Sequence, residues 1–180
     1  MLANLYWQYF QENRYRFYNR TSTENKVDAE DFRTWDLKTL FDEIDIHFQN
    51  SLKNGLILQQ TPLVNYDYVL QKEADSKLYR PTLYDFLSHN ALEFYQTDEN
   101  SITQPAYKFV IDNPKFLADV QTFSGLDITH QDSTSLKLKA LKIYKNLTAF
   151  HLKDKTPYAL ADVDIKRLHF VKNNATFTDK

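Results

Sequence analysis

Residues 78–95, LYRPTLYDFLSHNALEFY, constrain the fold most, because their apolar residues recur with the spacing of one face of an α-helix. Pro81 stands where this helix would begin, since its fixed φ suits a first turn and its missing N–H is not needed there. The residues on the predicted buried face are Leu83, Phe86, Leu87, Asn90, Ala91, Phe94 and Tyr95. We therefore expect a central packing helix here, with Phe86 in the core.

The same periodicity predicts helices over 2–18, 37–52, 136–151 and 157–171, and a brief one over 63–70. Asp31 or Thr34 is expected to cap the helix over 37–52, with Gly55 just past its C-terminus. Ser133 or Ser135 is expected to cap the long helix that follows.

Residues 107–111 (YKFVI) contain β-forming residues in partial alternation and predict one short strand, whose partner would be 126–129 or 56–60. The overall prediction is a mainly α fold of five or six helices in stacked helical hairpins, with at most a small two-stranded β element around 107–111. We expect a single helical module over 1–180.

The composition excludes several classes of chemistry. With 42% hydrophobic residues in 180, the chain can build a core, so a disordered protein is not expected. The net charge of −2, with both signs intermixed, argues against a nucleic-acid partner. The chain has no cysteine, which removes thiolate nucleophiles, thiolate zinc sites and disulfides. No run of 18 apolar residues occurs, so no membrane span is predicted.

Motifs for catalysis are equally sparse. Gly55 and Gly125 are isolated, which excludes phosphate-cradling loops and the nucleophile elbow. Ser88 and His89 are adjacent, but neighbours on a helix point apart, so they cannot form a nucleophile and base by themselves. We interpret His89 as a hydrogen-bonded packing histidine.

The nearest approach to a metal cluster is Asp42, Asp45 and His47. On a helix the two acids share a face while His47 points away from both, so a solvated helix face is the better interpretation. Acid pairs such as Asp162 and Asp164 could serve a hydrolase, yet any acid-rich surface supplies them. No catalytic, cofactor-binding or metal-ligating residue is predicted, and no cofactor is expected.

The first helix carries aromatic residues interleaved with arginines, a pattern that can stack on bases or sugars. A possible ligand or partner surface would comprise Trp7, Arg14, Tyr15, Arg16 and Tyr18. The competing interpretation, which the near-neutral net charge favours, is that these aromatics are buried between helices while the arginines pair with acids.

Six segments resemble, in order, the N-terminal helical region of the large bacterial alpha-2-macroglobulin-like proteins. They are YWQYFQENRYRFYNRT (6–21), DFRTWDL (31–37), RPTLYDFLSHNALEFY (80–95), ITQPAYKF (102–109), SLKLKALKIYKNL (135–147) and ALADVDIKRLHFV (159–171). The resemblance implies an exported and often lipid-anchored cell-envelope protein whose β-domains entrap or inhibit proteases. Some members capture the protease with a cysteine-glutamine thioester, which this cysteine-free chain cannot contain.

The functional prediction is therefore a non-catalytic structural or partner-docking segment, a fragment of a much larger protein of the bacterial cell envelope. Its export signal would lie outside this sequence. Its expected partners are other domains of the parent chain, and a protease or another protein. The second hypothesis is a helical module that binds a peptide or glycan through the first helix, and the third is a hydrolase with an unrecognised site.

Overall fold

A computed structural model describes residues 1–21, 23, 26–71, 73–97 and 107–177 of the chain. The chain folds as two compact units: unit 1 is Met1–Asn54, and unit 2 combines Gly55–Thr97 with the described residues from 107 onward. The sequence predicted one module over 1–180, whereas the folded chain divides into these two. Residues 102–106, part of one resembling segment, lie outside the described ranges.

Unit 1 is built from two long helices, α1 (Leu2–Tyr18) and α2 (Leu37–Leu52), which pack against each other. A 3-10 turn, Phe32–Thr34, lies between them in the chain. The rings of Phe10 and Phe41 meet edge to face with centroids 5.0 Å apart, a favourable aromatic geometry. The buried apolar side chains of unit 1 are Ala3, Trp7, Phe10, Phe17, Trp35, Leu37, Leu40, Phe41, Ile44 and Phe48. The apolar face predicted for α2 contributes to this core, whereas α1 buries Ala3 and Trp7 and leaves Leu2 and Leu5 44% and 51% exposed.

The start of α2 differs from the prediction. Asp36 caps the helix by accepting from the backbone N–H of Thr39 at 2.8 Å, because its side chain directly precedes the first helical residue. Asp31 instead caps the 3-10 turn through the N–H of Arg33. Gly55 does not lie just past the end of α2 as a C-terminal cap, since it is the first residue of the next helix.

The described residues of unit 2 form six α-helices and two 3-10 turns. The helices are α3 (Gly55–Gln60), α4 (Ser76–Tyr79), α5 (Leu83–Tyr95), α6 (Val120–Ser124), α7 (Leu136–His151) and α8 (Tyr158–Asn174); the turns are Leu63–Tyr66 and Pro114–Leu117. The central helix of unit 2 is α7 rather than α5, because α7 packs against α5, α6 and α8. In the described part of the chain, no helix has both the length and the apolar character needed to cross a bilayer.

The fold is mainly helical, as predicted. The five long helices α1, α2, α5, α7 and α8 are the five predicted from periodicity, and Ser135 caps α7 as expected. The short helices α3, α4 and α6 have six, four and five residues, too few to display a repeating apolar face.

Helix α5 begins at Leu83, two residues later than Pro81 suggested. Thr82 is the N-cap: its hydroxyl accepts from the N–H of Asp85, and the Asp85 carboxylate accepts from the N–H of Thr82 at 2.9 Å. This reciprocal capping box satisfies two donors that the first turn of a helix would otherwise leave unpaired. Pro81 precedes the cap, so it lies outside the helix.

The buried face of α5 is rotated relative to the predicted face. Its buried residues are Tyr84, Asp85, Ser88, Ala91, Leu92, Phe94 and Tyr95, whereas Phe86 and Leu87 are only half-buried. The expectation that Phe86 is a core residue was wrong. The rotation turns Asp85 toward α7, where it bonds His151, and this contact cannot be predicted from apolar spacing.

Leu92→Ala is expected to lower the free energy of unfolding of unit 2 by about 2–5 kcal/mol, because Leu92 is 1% exposed and its removal leaves a cavity. Phe86→Ala should cost less, since its ring is partly solvated in the folded chain. Amide hydrogen exchange of α5 and α7 measures both losses. A larger loss for Phe86→Ala than for Leu92→Ala would contradict the observed orientation of α5.

The predicted strand at 107–111 is reduced to one bridge. Ile111 forms an isolated parallel bridge with Ala175, which follows α8, and the N–H of Thr176 donates to the Ile111 carbonyl at 2.9 Å. Neither predicted partner is used, because 56–60 belongs to α3 and the bridge reaches a residue far along the chain. A pairing over so long a sequence separation has no local signal.

Candidate functional site

Trp7 was predicted to belong to a binding surface on α1, but it lies in the core of unit 1. It is 7% exposed and stacks on Phe10 with ring centroids 5.5 Å apart. The edge of Phe41 from α2 approaches the same indole at 6.1 Å. The packing of α1 against α2 therefore removes Trp7 from the surface.

The other four predicted residues are exposed and define the α1 surface: Arg14, Tyr15, Arg16 and Tyr18. Tyr15 is 85% exposed. The helix is kinked just before them at Asn13, whose backbone is non-helical and whose side-chain amide donates to the carbonyl four residues earlier. The guanidinium of Arg14 lies 5.6 Å from the centroid of the Phe10 ring. The α1 surface is thus cationic and aromatic.

The acids and histidine of α2 do not form a metal site. Asp42 accepts from Lys38 at 2.6 Å, and Asp45 accepts from Gln49 at 2.6 Å, so each carboxylate has its own partner on the helix surface. Among the described residues, no three groups of the kinds that ligate metals come together to hold an ion. The solvated face predicted for these acids agrees with this geometry.

The most conspicuous polar cluster of unit 2 consists of Asp85 and His151, which are buried, and Asp154, which is partly exposed. His151 is the last residue of α7, and its Nε2 lies 2.6 Å from Oδ1 of Asp85 on α5. Its Nδ1 lies 2.7 Å from Oδ2 of Asp154, in the turn after α7. Burial opposes a charge on the imidazole, but the hydrogen bonds and charges of the two carboxylates outweigh it and raise the pKa of His151. The arrangement favours the protonated imidazole, which can donate to both carboxylates.

The hydrogen bonds of this cluster tie α5 to the end of α7 and to the turn that follows it. Both ring nitrogens of His151 bond to a carboxylate, so neither is left to accept a proton from Ser88, which is buried one turn after Asp85. The side chains of His151 and Asp85 are 0% exposed, which closes them to a substrate. The two carboxylates approach opposite ring nitrogens and do not converge on a common point.

His89 lies on α5 in a different environment. Its Nε2 is buried and has no hydrogen-bond partner among the described residues, so the expected hydrogen bond is not present at that atom. Burial, together with the positive charges of Arg80 and Lys166, lowers the pKa of His89 to about 3. Those two cations both bond the carboxylate of Asp162 on α8, at 2.6 and 3.0 Å. The imidazole of His89 is therefore neutral in the folded chain.

Arg167 of α8 is a second buried polar centre, with 0% exposure. Its guanidinium donates to the carbonyls of Phe116 and Ala118 at 2.7 and 2.8 Å and to Asp164 at 2.6 Å. The ring of Phe123 on α6 lies beneath it, 4.4 Å from the centroid. Arg167 thus joins α8 to α6 and to the turn Pro114–Leu117.

Unit 2 also exposes a group of large apolar side chains, here termed the 56–69 surface. These side chains are 51% to 83% exposed and comprise Leu56, Ile57, Val64, Tyr68 and Val69. The segment that carries them is held in place by backbone hydrogen bonds: the N–H of Leu63 donates to Pro81 at 2.9 Å, and the N–H of Leu83 donates to Thr61 at 2.9 Å. The middle of the segment that carries these side chains is therefore anchored to the start of α5.

Sequence reasoning missed the 56–69 surface and the two buried polar centres. One usable signal for the surface is that residues 54–66, NGLILQQTPLVNY, contain no charged residue. The pattern Thr82-x-x-Asp85 marks a capping box, but nothing local connects Asp85 with His151. The carbonyl partners of Arg167 have no sequence signal.

The sequence matches no protein-family model, no curated protein and no solved structure. The resemblance to the alpha-2-macroglobulin-like proteins is consequently carried by the six sequence segments alone.

Proposed function

We propose that this chain is a non-catalytic helical module that docks a protein partner through the 56–69 surface. The observation that supports this function is the exposure of five large apolar side chains on a segment whose backbone is anchored to the start of α5. Leaving such a group in water forgoes the free energy that its burial would provide, and grouped exposed apolar side chains commonly mark interaction sites.

The chemistry of the surface favours a particular kind of partner. The run 54–66 has no charge, and the one acid close behind it, Asp67, is paired with Lys77. Such a surface offers nothing to a phosphate backbone or to an acidic peptide, since both are attracted mainly by cations. The fitting partner is a protein that presents an apolar, uncharged face of its own.

The buried polar groups of unit 2 support the non-catalytic part of the proposal. His151, Asp85 and Arg167 are fully buried, and their polar atoms are used within the fold. Purified chain should therefore not turn over glycan, peptide or ester substrates. Turnover that survives purification and is lost on substitution of a residue of unit 1 or unit 2 would contradict this statement.

The wider setting that we propose is the bacterial cell envelope, at the periplasm or the surface. The six resembling segments support a structural or docking segment within a larger alpha-2-macroglobulin-like protein that entraps or inhibits proteases. In that setting the apolar partner is another domain of the parent chain.

A second candidate function rests on the α1 surface. Four exposed side chains there combine two guanidinium groups with two phenol rings, a combination that binds the ring faces of sugars and the aromatic or acidic groups of peptides. This alternative is a binding module for a glycan or a peptide.

Site-specific photocrosslinking distinguishes the two surfaces, because each contains a tyrosine that is more than 80% exposed. Tyr68 is 83% exposed on the 56–69 surface, and Tyr15 is 85% exposed on the α1 surface. With benzoylphenylalanine at either position of the protein in its native cells, we expect a protein crosslink from Tyr68 and none from Tyr15. Mass spectrometry of the crosslinked peptides identifies the partner.

The outcome of the reverse pattern is equally defined. A crosslink from Tyr15 alone would favour the α1 surface as the docking site. No crosslink from Tyr68 under conditions that preserve the fold would overturn docking through the 56–69 surface. Leu56→Ser combined with Val69→Ser is the matched variant: it should abolish the Tyr68 crosslink while leaving the hydrogen exchange of α5 and α7 unchanged, since both side chains are exposed.

A further inference from the structure

Two histidines of unit 2, the buried His151 and the half-buried His89, lie on different helices, and folding shifts their pKa values in opposite directions. His151 ends α7 and is faced by Asp85 from α5 and Asp154 from the following turn. His89 lies on α5 and is influenced by Arg80, which precedes that helix, and by residues of α8. The two sites share Asp85, whose charge favours the protonated form of both imidazoles.

For His151, the charged groups that act on the ring are both acids. Burial opposes its protonation, but Asp85 and Asp154 raise its pKa above the ordinary value of 6.5. A group whose pKa is raised on folding stabilises the folded chain fully below its ordinary pKa. That stabilisation is lost as the pH rises through the folded-state pKa.

For His89, the surrounding charges act in both directions. Arg80 and the Lys166 ammonium oppose protonation of His89, while Asp162 and Asp85 favour it. Burial and the two cations together outweigh the two acids. Asp162 keeps its charge because the hydrogen bonds from Lys166 and Arg80 outweigh its own burial and lower its pKa. Because the pKa of His89 is lowered to about 3, the folded chain loses stability as the pH falls below the ordinary value of 6.5.

We propose that unit 2 is a two-sided pH-responsive device, in which acidification weakens the fold at His89 and alkaline pH weakens the joint between α5 and α7 at His151. The geometry supports each side separately. A proton added at Nε2 of His89 has no hydrogen-bond acceptor there. It also places a third positive charge near Arg80 and Lys166, which already share the carboxylate of Asp162. A proton lost from His151 leaves Asp85, 0% exposed, facing a neutral ring. Stability of unit 2 should therefore be greatest near the ordinary pKa of histidine, 6.5.

The first test follows the imidazole nitrogens of the whole chain by ¹⁵N NMR, with assignment by the variants His89→Gln and His151→Gln. We expect the resonances of His89 to remain those of a neutral ring down to about pH 5, and those of His151 to titrate above the ordinary pKa of 6.5. Titration of either ring near pH 6.5 would overturn its side of the device.

The second test is amide hydrogen exchange of α5, α7 and α8 in wild type and variants. When the pH is lowered from about 7.5 to about 5.5, the unfolding constant of unit 2 should rise about tenfold more in wild type than in His89→Gln. The reason is that only the unfolded chain protonates His89 in this range. His151→Gln should remove the dependence on the alkaline side. His169→Gln, at an exposed histidine of α8, is the control and should follow wild type. Parallel curves for wild type and His89→Gln would refute the acid side.

Discussion

Replacing His151 by glutamine is expected to lower the free energy of unfolding of unit 2 by about 3–5 kcal/mol, the range for removing one partner of a buried ion pair. The glutamine amide can replace one hydrogen bond but not the positive charge. The carboxylate of Asp85, 0% exposed and 2.6 Å from the lost nitrogen, would remain buried without a counter-ion. Amide hydrogen exchange of α5 and α7 measures the loss. Tryptophan fluorescence is unsuitable, because both tryptophans lie in unit 1 whereas these helices belong to unit 2.

A double-variant cycle isolates the ion pair from general effects of substitution. Asp85→Asn removes the facing charge, so Asp85→Asn combined with His151→Gln should lose less stability than the sum of the two single variants. His169→Gln should stay within about 0.5 kcal/mol of wild type because that histidine is exposed. Additive losses for Asp85 and His151 would show that the two groups are not coupled as the 2.6 Å contact requires.

Replacing Arg167 by methionine is expected to cost a similar amount, about 3–5 kcal/mol, for a different reason. Methionine fills much of the volume but donates no hydrogen bond. The carbonyls of Phe116 and Ala118 and the carboxylate of Asp164 would all lose their donor at once. The loss should be largest at residues 114–124, since Arg167 joins this segment to α8, and segment-resolved hydrogen exchange locates it.

Arg167→Lys tests whether charge alone is sufficient. A lysine keeps the positive charge but cannot reproduce the planar fork that reaches two carbonyls and a carboxylate together. We expect it to recover only part of the stability lost in Arg167→Met. Lys142→Met, at an exposed position of α7, is the control for loss of a cation from unit 2. Full stability in Arg167→Lys would mean that the hydrogen bonds to Phe116 and Ala118 contribute little.

The long helices were predictable because their signals are local. Apolar spacing located α5 and α7, and a serine directly before Leu136 supplied the cap of α7. The N-terminal boundary of a helix was harder to predict where several polar residues could act as the cap. At α2 the cap is Asp36 rather than Asp31. The single short strand could not be placed correctly because Ile111 pairs with Ala175, beyond the end of α8.

The candidate sites were predictable only in part. Four of the five residues predicted for the α1 surface are exposed, and Trp7 is buried. Its burial could not be predicted, because aromatic residues on two sides of a helix do not reveal which side meets a neighbour. His89 was singled out from the sequence, but its neutral state depends on Arg80 and Lys166, which reach it only through the packing of unit 2.

The sequence by itself determined that this protein is mainly helical, that its chemistry uses no cysteine, and that an uncharged apolar run follows the second helix. These properties depend on composition and on residues that are close together in the sequence. The 3.6-residue period of a helix allows its apolar face to be recognised from such spacing. Only the tertiary structure decided which face of α5 is buried and that Asp85 meets His151, 66 residues away. Such a contact depends on how the helices pack against each other. A buried charged group is paired with a residue that is close to it in the folded chain, and that residue need not be close in the sequence.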